Sequence, residues 1–145
     1  MATATTIATM SPVPRPGGLR AGPPPSAAAQ SLLRQAESGL REAELALDAS
    51  RRFAAAHLAA LWAGAAVLAE RARPSGRPSG RSVWQLLASV APELGEWAAF
   101  FAAGSATRAA AEAGNTRLVT DRAADDLVRQ AGQFLEVSRS LVCPR

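Results

Sequence analysis

The stretch from Phe53 to Ala69 runs seventeen residues without a formal charge, and no other feature limits the fold so tightly. A helix that long and apolar on every side has two destinations, the middle of a helical bundle or the hydrocarbon of a bilayer. Nine of the seventeen residues are Ala, which contributes little insertion energy compared with Leu, Ile or Phe. Small side chains instead let neighbouring helices pack closely. The segment therefore reads as a central core helix, capped by Asp48 or Ser50 and ending near Arg71. No membrane association is expected.

The flanking text supplies helices to surround it. After Ser26, a possible N-cap, Leu33, Ala36, Leu40, Ala43 and Leu47 step at helical spacing, with Arg34, Glu37, Arg41, Glu42 and Glu44 on the other sides. Ser82 caps a short helix carrying Val83, Trp84, Leu86, Leu87 and Val90. Pro92 suits the first position of a further helix to about Glu112, stopped by Gly114 and Asn115. Thr120 caps a last helix whose Ala124, Leu127, Ala131, Phe134, Ser138 and Leu141 share one face. On its other face the spacing predicts i, i+4 pairs of Arg122 with Asp126 and Asp125 with Arg129. Strand formers are scarce and Tyr is absent. The fold class expected is all-α: an up-and-down antiparallel bundle of four main helices plus one short one.

Residues 26–143 suffice for one such domain. Residues 1–25 hold six of the ten prolines, no acidic residue and no apolar periodicity, which reads as a disordered tail. Four threonines interrupt the only stretch that resembles a secretory leader, so a cytoplasmic protein is expected. All sixteen basic residues are Arg, against twelve carboxylates, giving a formal charge of +4. That tilt permits acidic partners without requiring them. With one His and one Cys, the chain assembles neither a disulfide framework nor a multi-ligand zinc or iron–sulfur site. A phosphate-cradling Gly loop is missing too, so no metal and no cofactor is expected.

His57 is the only side chain that titrates near neutrality without perturbation. Arg52 precedes it by five residues, a spacing that resembles the Arg and His of RNase toxins of the HEPN class; the resemblance implies that the imidazole moves the proton of a ribose 2′-OH while the guanidinium steadies the phosphate. On a regular helix, however, five residues place the two side chains roughly 140° apart, so they converge only if the helix begins between them or a second chain supplies one of them. Otherwise His57 is a partly buried helix residue beside Phe53 and Leu61. The tandem Pro-Ser-Gly-Arg loop carries Arg71, Arg73, Arg77 and Arg81 with no carboxylate from residue 71 to residue 92. These four are candidates for phosphate contacts, with Trp84 as a candidate for stacking on a base; the alternative is a solvated, flexible turn with Trp84 plugged into the core. Asp121, Asp125 and Asp126 suit a helix N-terminus, and Cys143 is an incidental thiol.

The segments AAAHLAALWAGAAVLAER (54–71) and SVWQLLASVAPELGEWAAFFAA (82–103) resemble those of an actinobacterial HEPN-domain family, and the resemblance extends over about residues 27 to 142. It implies an up-and-down bundle of four main helices plus a short one, usually paired into dimers, in a superfamily associated with RNA cleavage or with binding nucleotides and nucleic acids. RNase members carry their Arg and His on a late helix, often with a polar residue after the Arg. Here residues 116–130 hold Arg117, Arg122 and Arg129 but no His, while Arg52 and His57 lie on the second helix and Phe53 follows the Arg. The expectation is a non-enzymatic module that forms a homodimer or binds an unknown protein partner, touching nucleic acid or nucleotide through its Arg-rich loop. The alternative is a metal-independent RNase with Arg52 and His57 composed across a dimer.

Overall fold

A computed structural model describes residues 24–71 and 80–144. The expected tail falls almost wholly outside the described residues, as do Arg73 and Arg77 of the Pro-Ser-Gly-Arg loop.

Four of the five α-helices among the described residues begin where a short polar side chain satisfies free backbone N–H groups, the fourth in chain order being the exception. In α1 (Ala27–Leu45) the Ser26 hydroxyl accepts from the Ala29 N–H at 3.1 Å. For α2 (Ala49–Arg71) the cap is Asp48, whose carboxylate accepts from the Arg51 N–H at 3.0 Å, while Ser50 is buried. Ser82 and Gln85 form a reciprocal capping box at the start of α3 (Val83–Val90). Pro92 opens not α4 itself but a single 3₁₀ turn, Pro92–Leu94, which leads into α4 (Gly95–Glu112). Gly114 then takes φ 92°, the left-handed conformation that terminates helices and that a side chain disfavours. After a second 3₁₀ turn, Thr116–Leu118, the Thr120 hydroxyl accepts from Ala123 N–H at 3.0 Å and starts α5 (Asp121–Val142). Among the described residues there is no strand.

α2 occupies the middle and packs on α1, α3, α4 and α5. Cross-contacts fix the directions of the others. Gly39 meets Ala59, Leu40 meets Gly132, Arg52 meets Asp125, and Arg71 meets Glu93. α1 and α4 therefore run one way, and α2 and α5 the other. In a square up-and-down bundle α2 and α5 would be diagonal neighbours held apart by bulky side chains. Here Ala56, Ala59, Ala60, Ala63 and Ala66 of α2, with Ala124 and Ala131 of α5, are almost fully buried, and α2 packs directly on α5. α4 reaches α5 chiefly through aromatic rings, Trp97 and Phe101 against Phe134 with centroids 5.5 and 5.1 Å apart. Trp84 of α3 completes that cluster, stacked on Phe101 at 5.1 Å. This aromatic layer and the alanine seam together make the core.

α2 is long and apolar enough to cross a membrane by length and composition, but half of its apolar window is buried inside the bundle. Two details depart from the sequence reading. Leu47, assigned to the core face of α1, is 93% exposed, because α1 stops at Leu45 and the chain must turn to reach the Asp48 cap. On α5, Asp125 pairs with Arg52 at 2.8 Å and Asp126 with Arg129 at 3.3 Å, replacing the expected pairs with Arg129 and Arg122.

Candidate functional site

His57 is fully buried. Phe53, one turn earlier on α2, lies parallel to its ring at 6.4 Å, while Trp84 and Phe101 present edges at 6.0 Å. Nε2 lies 2.7 Å from the Phe101 carbonyl oxygen, which can only accept, so Nε2 carries the proton and donates. Gly104 is what lets α4 come so near: a Cβ there would sit 3.1 Å from His57 Cδ2 and 3.3 Å from Nε2. Nδ1 is buried with no hydrogen-bond partner among the described residues, so a second proton would meet no acceptor. Burial pushes the imidazole pKa below its ordinary value of 6.5; the Phe101 hydrogen bond opposes this, Arg108 adds to it, and Glu112 opposes it. The ring is thus held with one nitrogen engaged and the other enclosed.

Arg52 is committed elsewhere. Its Nε donates to the Ala46 carbonyl and its Nη2 to the Leu47 carbonyl, each at 3.0 Å. Nη1 donates to Asp125 at 2.8 Å and lies 3.5 Å from Asp121. The guanidinium thus ties the α1–α2 turn to the start of α5, and the structure does not bring it to His57. The guanidinium whose charge does reach the imidazole belongs to Arg108, a residue that sequence spacing did not single out. Only the antiparallel register of α4 on α2 brings it there.

Of the loop candidates, Arg71 is paired with Glu93, the first carboxylate after the acid-free stretch, and holds that carboxyl below its usual range. Arg81 is exposed, whereas Arg73 and Arg77 lie outside the described residues. Trp84 corrects an expectation: it is 3% exposed, stacked on Phe101 and set against Gly64, where a Cβ would be 3.3 Å away. It offers no free face to a base. No cluster of three or more His, Cys, Asp or Glu fit to hold a metal occurs among the described residues.

Two surfaces escaped the sequence reading. α1 and α4 both flank the outer side of α2, leaving an open groove of about 950 Å³ floored by Ala54, Ala55 and Leu58. Leu45 and Leu47, at 81% and 93% exposure, stand at its edge. The second surface is the outward side of α4. Ala99, Phe100, Ala102, Ala103 and Ala106 are exposed there, and no charge occurs from Trp97 to Thr107. In sequence the signal is the near absence of charge from Pro92 to Thr107.

No curated protein and no solved structure matches the chain. The profile of the SAV_6107-like HEPN family matches residues 43–139, spanning the turn before α2 through most of α5. That match covers the central helix, the aromatic layer and both surfaces apart from most of α1, and it places the chain as a member of the SAV_6107-like HEPN family.

Proposed function

We propose that this chain is a non-enzymatic HEPN module that works by protein contact, as a cytoplasmic homodimer joined through the outward face of α4. The observation that carries the reading is the uncharged, exposed run of Ala99, Phe100, Ala102, Ala103 and Ala106. A helix apolar on its solvent side as well as its core side is unusual unless something covers it. Two alanine faces can approach closely, and Phe100, 47% exposed, supplies the bulk that alanine lacks. A two-fold pairing makes one patch complementary to itself. The non-enzymatic half of the proposal is supported by the burial of His57 and the commitment of Arg52 to the α1–α2 turn.

Light scattering at tens of micromolar tests it. The expected mass is twice the 15.0 kDa of one chain. The double variant Phe100→Glu, Ala103→Glu should return a folded monomer, judged by circular dichroism. A parent that is monomeric, or a double variant that stays dimeric, refutes the α4 interface.

The exposed Arg81 supports an added role in which the Arg-rich loop touches phosphates. Replacing Arg71, Arg73, Arg77 and Arg81 with Ser should then weaken RNA binding at low salt. An RNase built on Arg52 and His57 across a dimer would need the imidazole to leave its enclosed slot; its test is cleavage by the parent and loss in His57→Ala.

A further inference from the structure

The groove over α2 has a chemistry that points to its occupant. Its floor is apolar, and among the described residues its rim carries three exposed carboxylates, Glu42, Asp48 and Glu112, against one cation, Arg51. A second copy set on this groove about a two-fold axis would bring carboxylates towards carboxylates, which argues against self-pairing here. The complementary segment is apolar, basic and free of acids. Residues 1–23 of this chain fit that description: they carry Ile7, Met10, Val13 and Leu19, their only charged side chains are Arg15 and Arg20, and they contain no Asp or Glu.

Reach is sufficient. The chain enters α1 at the end remote from the groove, and the 19 residues of α1 separate the two, a distance of about 28 Å at 1.5 Å per residue. An extended chain covers roughly 3.3 Å per residue, so about nine residues counted back from Pro24 suffice to return along α1. A segment returning in this way would have Arg15 at the acidic rim and Val13, Met10 and Ile7 over the floor.

We infer that residues 7–20 of the same chain dock in the groove between α1 and α4, with Val13 and Met10 against Leu45, Leu47 and Leu58 and with Arg15 answering Glu42, Asp48 and Glu112. The site is separate from the outward α4 face and stands whether or not that face pairs. Tethering makes weak contacts effective: a linked segment sees its site at about millimolar effective concentration, so an intrinsic affinity near 1 mM already occupies about half the grooves.

The test uses the full chain with Cys143→Ser and a nitroxide on Ala8→Cys, observed by amide NMR after mixing the labelled, isotope-enriched chain with excess unlabelled protein. Docking within one chain predicts that the signals of Leu45, Leu47, Ala55 and Ala111 lose about half their intensity or more, while Leu127 and Ala131 of α5 keep theirs. Adding Arg15→Glu and Arg20→Glu to the labelled chain should restore the groove signals, and raising the salt should act in the same direction. Groove signals no weaker than those of α5, or intensities indifferent to the charge reversal, would overturn the inference. So would broadening that disappears on dilution into unlabelled protein, because the segment would then come from a second copy.

Discussion

Lowering the pH from 7.5 to 5.5 should destabilise the bundle through one residue, His57. The ring is fully buried, its Nδ1 has no acceptor among the described residues, and burial holds its pKa below 6.5. In the unfolded chain the same imidazole titrates near that ordinary value. Below it the unfolded state therefore binds a proton that the native state refuses, and stability must fall with pH. The stability is complete above about 6.5 and is lost as pH drops towards the folded-state pKa. The slope reaches at most about 1.4 kcal/mol per pH unit, so the loss at pH 5.5 is bounded at about 1.4 kcal/mol, reached if the native ring stays neutral there. For a domain of this size that is a fall in Tm of roughly 4–8 °C. Thermal melts or urea titrations at both pH values measure it in the parent and in His57→Phe, which keeps an aromatic ring but has no proton to take up. Carboxylate effects common to both proteins cancel in the comparison. A parent and a His57→Phe variant with the same pH dependence would show that the ring protonates in place, and the sealed-slot account of this residue would fail.

Arg52→Ala should cost about 2 kcal/mol, because it removes two hydrogen bonds to the Ala46 and Leu47 carbonyls, with a smaller share from the ion pair with the exposed Asp125. Urea unfolding checks this, and a change under about 0.5 kcal/mol would mean that the guanidinium does not hold the turn. The two ends of the helix-propensity argument can be separated on α4. Gly95→Ala meets nothing within 4 Å and should gain about 0.5–1 kcal/mol. At Gly104 the new Cβ would press on a His57 ring fixed by its hydrogen bond, so Gly104→Ala should lose about 1 kcal/mol despite the same intrinsic benefit. Equal gains at both positions would show that the imidazole yields easily.

Features set by neighbours in sequence could be read from it. The caps at Ser26, Ser82 and Thr120 depend on a side chain reaching an N–H three residues on. The central place of α2 follows from its lack of charge, and the burial of His57 from its position within that run. What could not be read depends on which residues meet across long separations. Arg52 finds Asp125 and Arg139 finds Glu37 only once α5 lies beside α2 and α1. The i, i+4 rule gave Asp125 a local partner because it weighs intrahelical neighbours alone, and a guanidinium already held by two carbonyls on an adjoining turn proved the stronger competitor. Leu47 kept the apolar spacing of α1 after the helix itself had ended, so periodicity misplaced it. Trp84, beside an Arg-rich loop, could have faced either water or core; the lack of a side chain at Gly64 opened the core position.

The alanines explain more than the closeness of the seam. Side chains of ordinary volume keep diagonal helices apart and allow the four corners of a bundle to touch along its edges. With alanine at Ala56, Ala60 and Ala63 on α2 and at Ala124 and Ala131 on α5, the diagonal contracts until α2 and α5 are in contact. As that diagonal shortens the other must lengthen, so α1 and α4 move apart and the outer side of α2 is left uncovered between them. α4, now anchored to α5 mainly by aromatic rings, turns a wide side towards solvent. The groove with Leu45 and Leu47 and the uncharged face around Phe100 are therefore two consequences of one packing choice. A composition that looks merely economical in the interior thus decides where the exterior is apolar, and that is where partners of this HEPN module are to be sought.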